Sequence, residues 1–225
     1  MPKVVLHQYE ISPFCNKVRR CLKRKGLEWE TVDYNGVRSM QALRLTKVGM
    51  LPVLDYDGER VQDSMRIAQL LDRKIPQKLL YPAEPARCAQ ARVWEDWAEG
   101  SLFFYELQFR FVDERILPKA AELMCIGRPA WEYHAIKLAA GSITRRKVKQ
   151  QGLGRLAPDE IDRRFFEILG HIDGLLATQP WLVAGDEPTI ADYSVAGQLG
   201  EMLRTSLHAP RMREHRHFSS WIDRC

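Results

Sequence analysis

The sequence predicts a small α/β domain followed by a larger all-helical one. Three observations carry this. Strand and helix signals alternate from Lys3 to Arg73. A proline-rich stretch follows, with Pro76, Pro82 and Pro85, and reads as a linker. Beyond it strand signals almost vanish, and apolar residues recur at helical spacing. The expected division is residues 1–78 for the first domain, 79–86 for the linker and 87–225 for the helical domain. A chain of 225 residues can bury a core in each.

Lys3 to Tyr9 is rich in β-branched and apolar residues and reads as a strand. Ser12-Pro13 opens a helix, because serine is a favoured N-cap and proline at the first helical position loses no needed hydrogen bond. Phe14, Val18, Cys21 and Leu22 form one apolar helical face, and Gly26 stops the helix. Asn16, Lys17, Arg19, Arg20, Lys23 and Arg24 fall on the other face and read as solvated. Glu28 to Asp33 is a second strand, and Ser39 to Leu45 a short helix. Asp57-Gly58 marks a hairpin joining Leu51–Leu54 to Arg60–Gln62. Ser64 to Arg73 is a helix. The order βαβαββα suggests a layered α/β fold. In the second domain, Ala86 to Glu99, Leu102 to Met124 and Pro158 to Thr178 read as helices. Thr189-Ile190-Ala191-Asp192 has the form of a capping box opening a helix to about Leu203.

Composition narrows the function classes. Apolar content of 45% with 28% charged residues is that of a globular protein. No apolar run approaches the roughly 18–20 residues that span a bilayer, and the N-terminus lacks a signal-peptide pattern. A cytoplasmic protein without membrane contact is the expectation. The five cysteines, Cys15, Cys21, Cys88, Cys125 and Cys225, form no C-x-x-C pair and no zinc-ligand pattern, so reduced thiols and no metal are expected. The net charge of +5 concentrates in Lys17–Lys25 and Arg145–Arg155. Neither segment has the aromatic interleaving of a nucleic-acid surface, and no nucleic-acid partner is expected.

Pro52 stands out because proline cannot donate to a β-ladder. A cis Leu51-Pro52 bond would turn the Leu51 backbone outward, ready to pair with an extended peptide. On their own residues, Asp63-Ser64 read as a helix cap.

Four segments together resemble the cytosolic glutathione S-transferase family. Ser12-Pro13-Phe14-Cys15-Asn16-Lys17-Val18-Arg19 resembles its active-site helix start, in the omega/zeta-like manner. Gly49-Met50-Leu51-Pro52-Val53-Leu54 resembles its cis-proline segment, and Asp63-Ser64 its acidic-Ser pair. Trp181 to Asp192 resembles its second-domain folding motif. The resemblance implies a thioredoxin-like first domain, a helical second domain, glutathione as co-substrate and a homodimer. It implies a detoxification-type transferase that activates the glutathione thiolate for attack on, or isomerisation or thiol exchange of, a small electrophile. It also places glutathione across Leu51 and Pro52, with its γ-glutamyl end at Asp63 and Ser64. There Asp63 would pair the α-ammonium group, and Ser64 with the free helix amides the carboxylate.

Three residues are candidates for activating the thiol. Ser12 can donate a hydrogen bond to the glutathione sulfur at a helix N-terminus, where the dipole favours an anion. Serine at a position where glutaredoxins and omega-like members carry cysteine cannot form a mixed disulfide, which excludes dithiol chemistry through position 12. Cys15 is a second candidate as a thiol, and Tyr9 a third as a hydroxyl donor near the end of the first strand. Met50 and Thr46-Lys47 depart from the family pattern, so Lys47 or Arg38 is expected to take the glycyl carboxylate. Phe103, Phe104, Tyr105 and Phe109 are the expected electrophile pocket. The other function class is a non-catalytic scaffold on the same fold that binds a protein partner.

Overall fold

The computed structural model describes residues 2–225. Strands β1 (Val4–Gln8), β2 (Glu30–Asp33), β3 (Val53–Tyr56) and β4 (Glu59–Gln62) form one mixed sheet in the order β2-β1-β3-β4. β1 runs parallel to β2 and antiparallel to β3, with Leu6 opposite Leu54. β3 and β4 are the hairpin expected at Asp57-Gly58. Helices α1 (Pro13–Arg24) and α2 (Ser64–Lys74) cover the sheet, and a 3-10 helix spans Gly36–Arg44. Val4 and Leu6 meet Val18, Leu22, Ile67 and Leu71 in the core between these layers. This is the layered α/β domain that the element order predicts and the thioredoxin-like domain that the resemblance implies.

One sequence expectation is corrected here. The polar face of α1 is only partly solvated: Lys23 is exposed, but Lys17 is 1% exposed, and Lys25 just beyond the helix is also buried. Lys17 pairs with Glu95 at 2.5 Å and Glu99 at 2.6 Å, and Asn16 donates to Glu201 at 2.7 Å. Lys25 pairs with Asp72 at 2.7 Å within the first domain. Periodicity registers polarity but not whether a second helix brings matching charges. α3 (Pro85–Trp97) and α8 (Ile190–Thr205) do so. Gly197 permits this approach, because a Cβ there would stand 2.8 Å from the Pro13 carbonyl oxygen.

The second domain is helical throughout its regular elements. α3 runs on through a π-helical turn (Ala98–Leu102), α4 (Phe103–Leu107) and a second π-helical turn (Gln108–Val112). The break expected at Gly100 is absent, since Ala98 and Leu102 on either side are fully buried and hold the turn in place. The helix expected from Leu102 to Met124 breaks instead after Val112, where Asp113 accepts from the Arg115 amide, and α5 restarts at Leu117 with Pro118 in its first turn. α6 (Ala130–Gln151) has no apolar stripe to announce it, as Trp131, Leu138 and Ile143 are exposed. Arg145, Arg146, Lys147 and Lys149 are exposed on it, as a solvated face requires. α7 (Pro158–Leu176), α8, α9 (Ala209–Arg213) and α10 (Arg216–Arg224) complete the domain.

The capping box of α8 forms around a buried carboxylate. Asp192 accepts from the Thr189 amide at 2.8 Å, the Leu182 amide at 2.9 Å and the Trp221 indole at 2.9 Å. Asp192→Ala strands three buried donors. We expect a loss of about 3 kcal/mol in stability, measured by urea unfolding.

Candidate active site

The cleft lies between the two domains. One recess of about 290 Å³ opens beside Ser12, walled by Tyr9, Phe14, Phe103, Leu107 and Phe111. A second of about 280 Å³ lies at the start of α2, beside Asp63, Ser64, Arg66 and Glu99. Phe14, Met50 and Leu51 line both, so the two adjoin.

Ser12 caps α1 as its sequence suggests. Its Oγ accepts from the Cys15 amide at a long 3.4 Å, and its own amide donates to Tyr9 O at 3.0 Å. The side chain is half-buried at the cleft. Cys15 points the other way. It is fully buried, and burial pushes its thiol up to about 11, although the Ser12 hydrogen bond pulls it down. Native protein treated with iodoacetamide at pH 8 is expected to leave Cys15 unmodified, and the same treatment in urea to label it; peptide mass spectrometry reads both. The Tyr9 hydroxyl donates to Met124 O at 3.4 Å, and burial holds its phenol well above the ordinary tyrosine value. Tyr9 is therefore a neutral donor on the cleft wall.

The Leu51-Pro52 bond is cis, and the ladder begins only at Val53. Leu51 lies along the cleft outside that ladder. Asp63 has a φ of +92°, rare for a side chain other than glycine and costing about 1–3 kcal/mol. Its Oδ1 accepts from the Met65 and Arg66 amides, both at 3.1 Å. Ser64 is buried, and its hydroxyl donates to Glu99 Oε1 at 2.9 Å. Two of the helix amides expected to face a ligand are thus taken by Asp63, and the Ser64 proton is turned toward the second domain.

The remaining sequence candidates lie elsewhere. Arg38 stacks over the Tyr34 ring at 5.1 Å, and Lys47 is exposed. Neither lines the two recesses. Tyr105 and Phe109 pack on Phe165 of α7 and do not line the recess beside Ser12. Phe104 packs edge-on against Phe103 and does not line the recess. The cleft face is Phe103, Glu106, Leu107, Arg110 and Phe111. Those positions recur at three- and four-residue spacing, the signal that marks one helix face.

Arg110, Glu106, Lys17 and Glu99 were not legible as site residues. Arg110 is buried, and burial draws its guanidinium down to about 10 against the pull of Glu201. It pairs with Glu106, donates to Thr205 Oγ1 at 2.8 Å and donates to Ile11 O at 3.2 Å. The last bond ties the helical domain to the residue before Ser12. Burial pulls Lys17 down, but Glu99 and Glu95 outweigh it and hold the ammonium above the ordinary lysine value. Among the described residues, no cluster of three His, Cys, Asp or Glu side chains is placed to hold a metal ion. No described helix is long and apolar enough to cross a membrane.

A thioredoxin-like domain with a cis-proline cleft, closed on one side by a helical domain, is the class of fold this chain adopts. The model of the glutathione S-transferase N-terminal domain matches residues 6–79, and that of the C-terminal domain residues 156–224. The chain belongs to the glutathione S-transferase family. Glutathione S-transferase U22 of Arabidopsis thaliana is 34% identical over 104 residues, 45% of this chain and 48% of that protein. The alignment thus spans about half the length of this curated relative. The β-etherase LigF from Sphingobium superposes with a TM-score of 0.67 at 19% identity, covering 99% of this chain and 94% of that one. A glutathione S-transferase from Methylobacterium radiotolerans, solved with glutathione sulfonate, gives a TM-score of 0.62 at 25% identity, covering 99% and 89%.

Proposed function

We propose that this protein is a glutathione transferase that binds glutathione across Leu51 and holds its sulfur at Ser12 for attack on a small apolar electrophile. The observation that carries the reading is the position of Ser12. It caps a 12-residue helix, stands at the cleft and keeps a hydroxyl proton free of any strong internal bond.

The two recesses suit an extended tripeptide with an amino-acid head. The recess at α2 offers carboxylates, a hydroxyl and the Arg66 guanidinium. The recess at Ser12 offers apolar walls for a second substrate. Glutathione supplies the nucleophilic sulfur. Ser12 donates to that sulfur, and the N-terminus of α1 adds positive potential. A free thiol near pKa 8.5 is about 3% ionised at pH 7. Lowering it by about two units takes roughly 2.7 kcal/mol, within reach of a hydroxyl donor and a helix end. Buried Cys15 leaves this role to Ser12, and Tyr9 becomes a wall of the pocket. The reading carries with it a homodimer acting in the cytoplasm without a metal.

Titration calorimetry with glutathione, followed by a conjugation assay with a chromogenic electrophile, tests the proposal. Binding with turnover supports it. Binding without turnover would point to the scaffold class, and no binding would overturn both the cleft and the chemistry.

A further inference from the structure

The recess beside Ser12 is not apolar throughout. Glu106 borders it together with Phe103 and Leu107, and the residue is wholly buried. Its Oε1 accepts from Arg110, one helical turn on. Among the described residues no donor reaches its Oε2. An ionised carboxylate can only accept hydrogen bonds, and a buried acceptor left without a donor is costly. This oxygen therefore has a demand that the protein itself does not meet.

The surrounding charges decide which donor fits. Arg110 stands 3.5 Å from Glu201, and Glu201 pairs with Arg204 at 3.1 Å and Arg19 at 3.6 Å. Arg204 pairs in turn with Glu10 at 3.0 Å. Glu106, Glu201 and Glu10 thus face Arg110, Arg204 and Arg19, and the network is neutral. An ammonium group entering the recess would bring a charge that nothing there offsets. An anion fares no better. The Arg110 guanidinium is already given to Glu106, Thr205 Oγ1 and Ile11 O, and the free carboxylate oxygen repels like charge. A neutral donor remains. A hydroxyl meets the need with a single heavy atom, whereas an amide brings a carbonyl that needs a donor of its own. Phe14, Phe103 and Phe111 supply apolar walls for the rest of such a molecule.

We propose that the second substrate is an electrophile with an apolar body and one hydroxyl group, and that Glu106 is the specificity-determining residue that accepts from this hydroxyl. The proposal rests on the glutathione reading above and names the substrate class. Glu106 selects and orients; bond making stays at the glutathione sulfur. Arg110 fixes the carboxylate from one side, so the free oxygen is held in place before the substrate arrives.

The test is titration calorimetry on the full chain with conjugates of S-benzylglutathione. Their ring carries a hydroxymethyl group or its methyl ether, at the meta or the para position, and the tighter-binding position is compared. The ether keeps the oxygen and loses the donor. Wild-type protein is expected to bind the hydroxymethyl conjugate about 20-fold more tightly than the ether. In Glu106→Gln an amide nitrogen can stand in place of Oε2, and the preference is expected to fall to about threefold or less. A wild-type preference below about threefold, or a 20-fold preference that persists in Glu106→Gln, overturns the assignment. Should Glu106→Gln fail to fold, Glu106→Asp keeps the charge opposite Arg110 and draws the oxygen back. A fall to about fivefold or less is then expected, and an unchanged preference overturns the assignment. Wild-type protein that binds neither the conjugates nor glutathione would overturn the glutathione reading itself, an outcome distinct from conjugates bound without preference.

Discussion

Ser12→Ala is expected to raise the pKa of bound glutathione by about two units and to lower kcat/KM about 100-fold at pH 6.5. The gap should narrow as pH rises through about 8.5, because the unassisted thiol then ionises by itself. Thiolate absorbance of the binary complex reads the first effect, and a pH-rate profile the second. Ser12 also caps α1, so alanine costs up to about 1 kcal/mol of stability as well. Ser12→Gly separates the two roles. Glycine at an N-cap costs only a few tenths of a kcal/mol, yet it removes the hydroxyl. A full loss of thiolate in Ser12→Gly with a near-normal melting midpoint assigns the effect to the donor. An unchanged thiol pKa in either variant would remove Ser12 from the chemistry.

The largest effect on stability is expected from Lys17→Met. It leaves Glu95, fully buried, and Glu99 without their cation. Breaking a buried pair from one side typically costs about 3–5 kcal/mol, read as a shift in urea midpoint. The cost should depend on pH with a definite sign. Burial already raises the Glu95 carboxyl, and Lys17 is the chief force opposing it. Without Lys17, the folded form takes up a proton in a range where the unfolded chain binds none. The deficit is therefore greatest near pH 7 and shrinks as pH falls toward about 5. Adding Glu95→Gln to Lys17→Met should recover part of the loss. No recovery, or a deficit that grows in acid, would contradict the pairing.

Much of the fold could be read from the chain because its signals are local. Ser12-Pro13, Asp57-Gly58 and Thr189 with Asp192 each act through the backbone within a few residues. Pro52 was legible for the same reason, as a residue that a ladder cannot use. What could not be read depends on partners distant in sequence. Lys17 looks solvated until Glu95 and Glu99 are brought to it across some 80 positions. Arg110 is an ordinary charge on a helix until Ile11 and Thr205 surround it. Tyr105 and Phe109 pack on Phe165 of α7 instead of lining the recess beside Ser12, and that partner lies some 60 positions away in the chain. α6 escaped notice because its buried residues, Glu132, Gly141 and Val148, form no apolar repeat.

The Arg110 bond to Ile11 O has a bearing on how this protein could diversify. Arg110 lines the recess proposed for the second substrate, and Ile11 immediately precedes the residue proposed to hold the sulfur. On the proposed function, selectivity and reactivity are therefore joined through one guanidinium. A lineage that replaced Arg110 to admit a new substrate would at the same moment loosen the loop that carries Ser12. Phe103, Leu107 and Phe111 share part of this linkage, because Phe103 packs on Phe14 and the other two lie in one apolar cluster with Ile11.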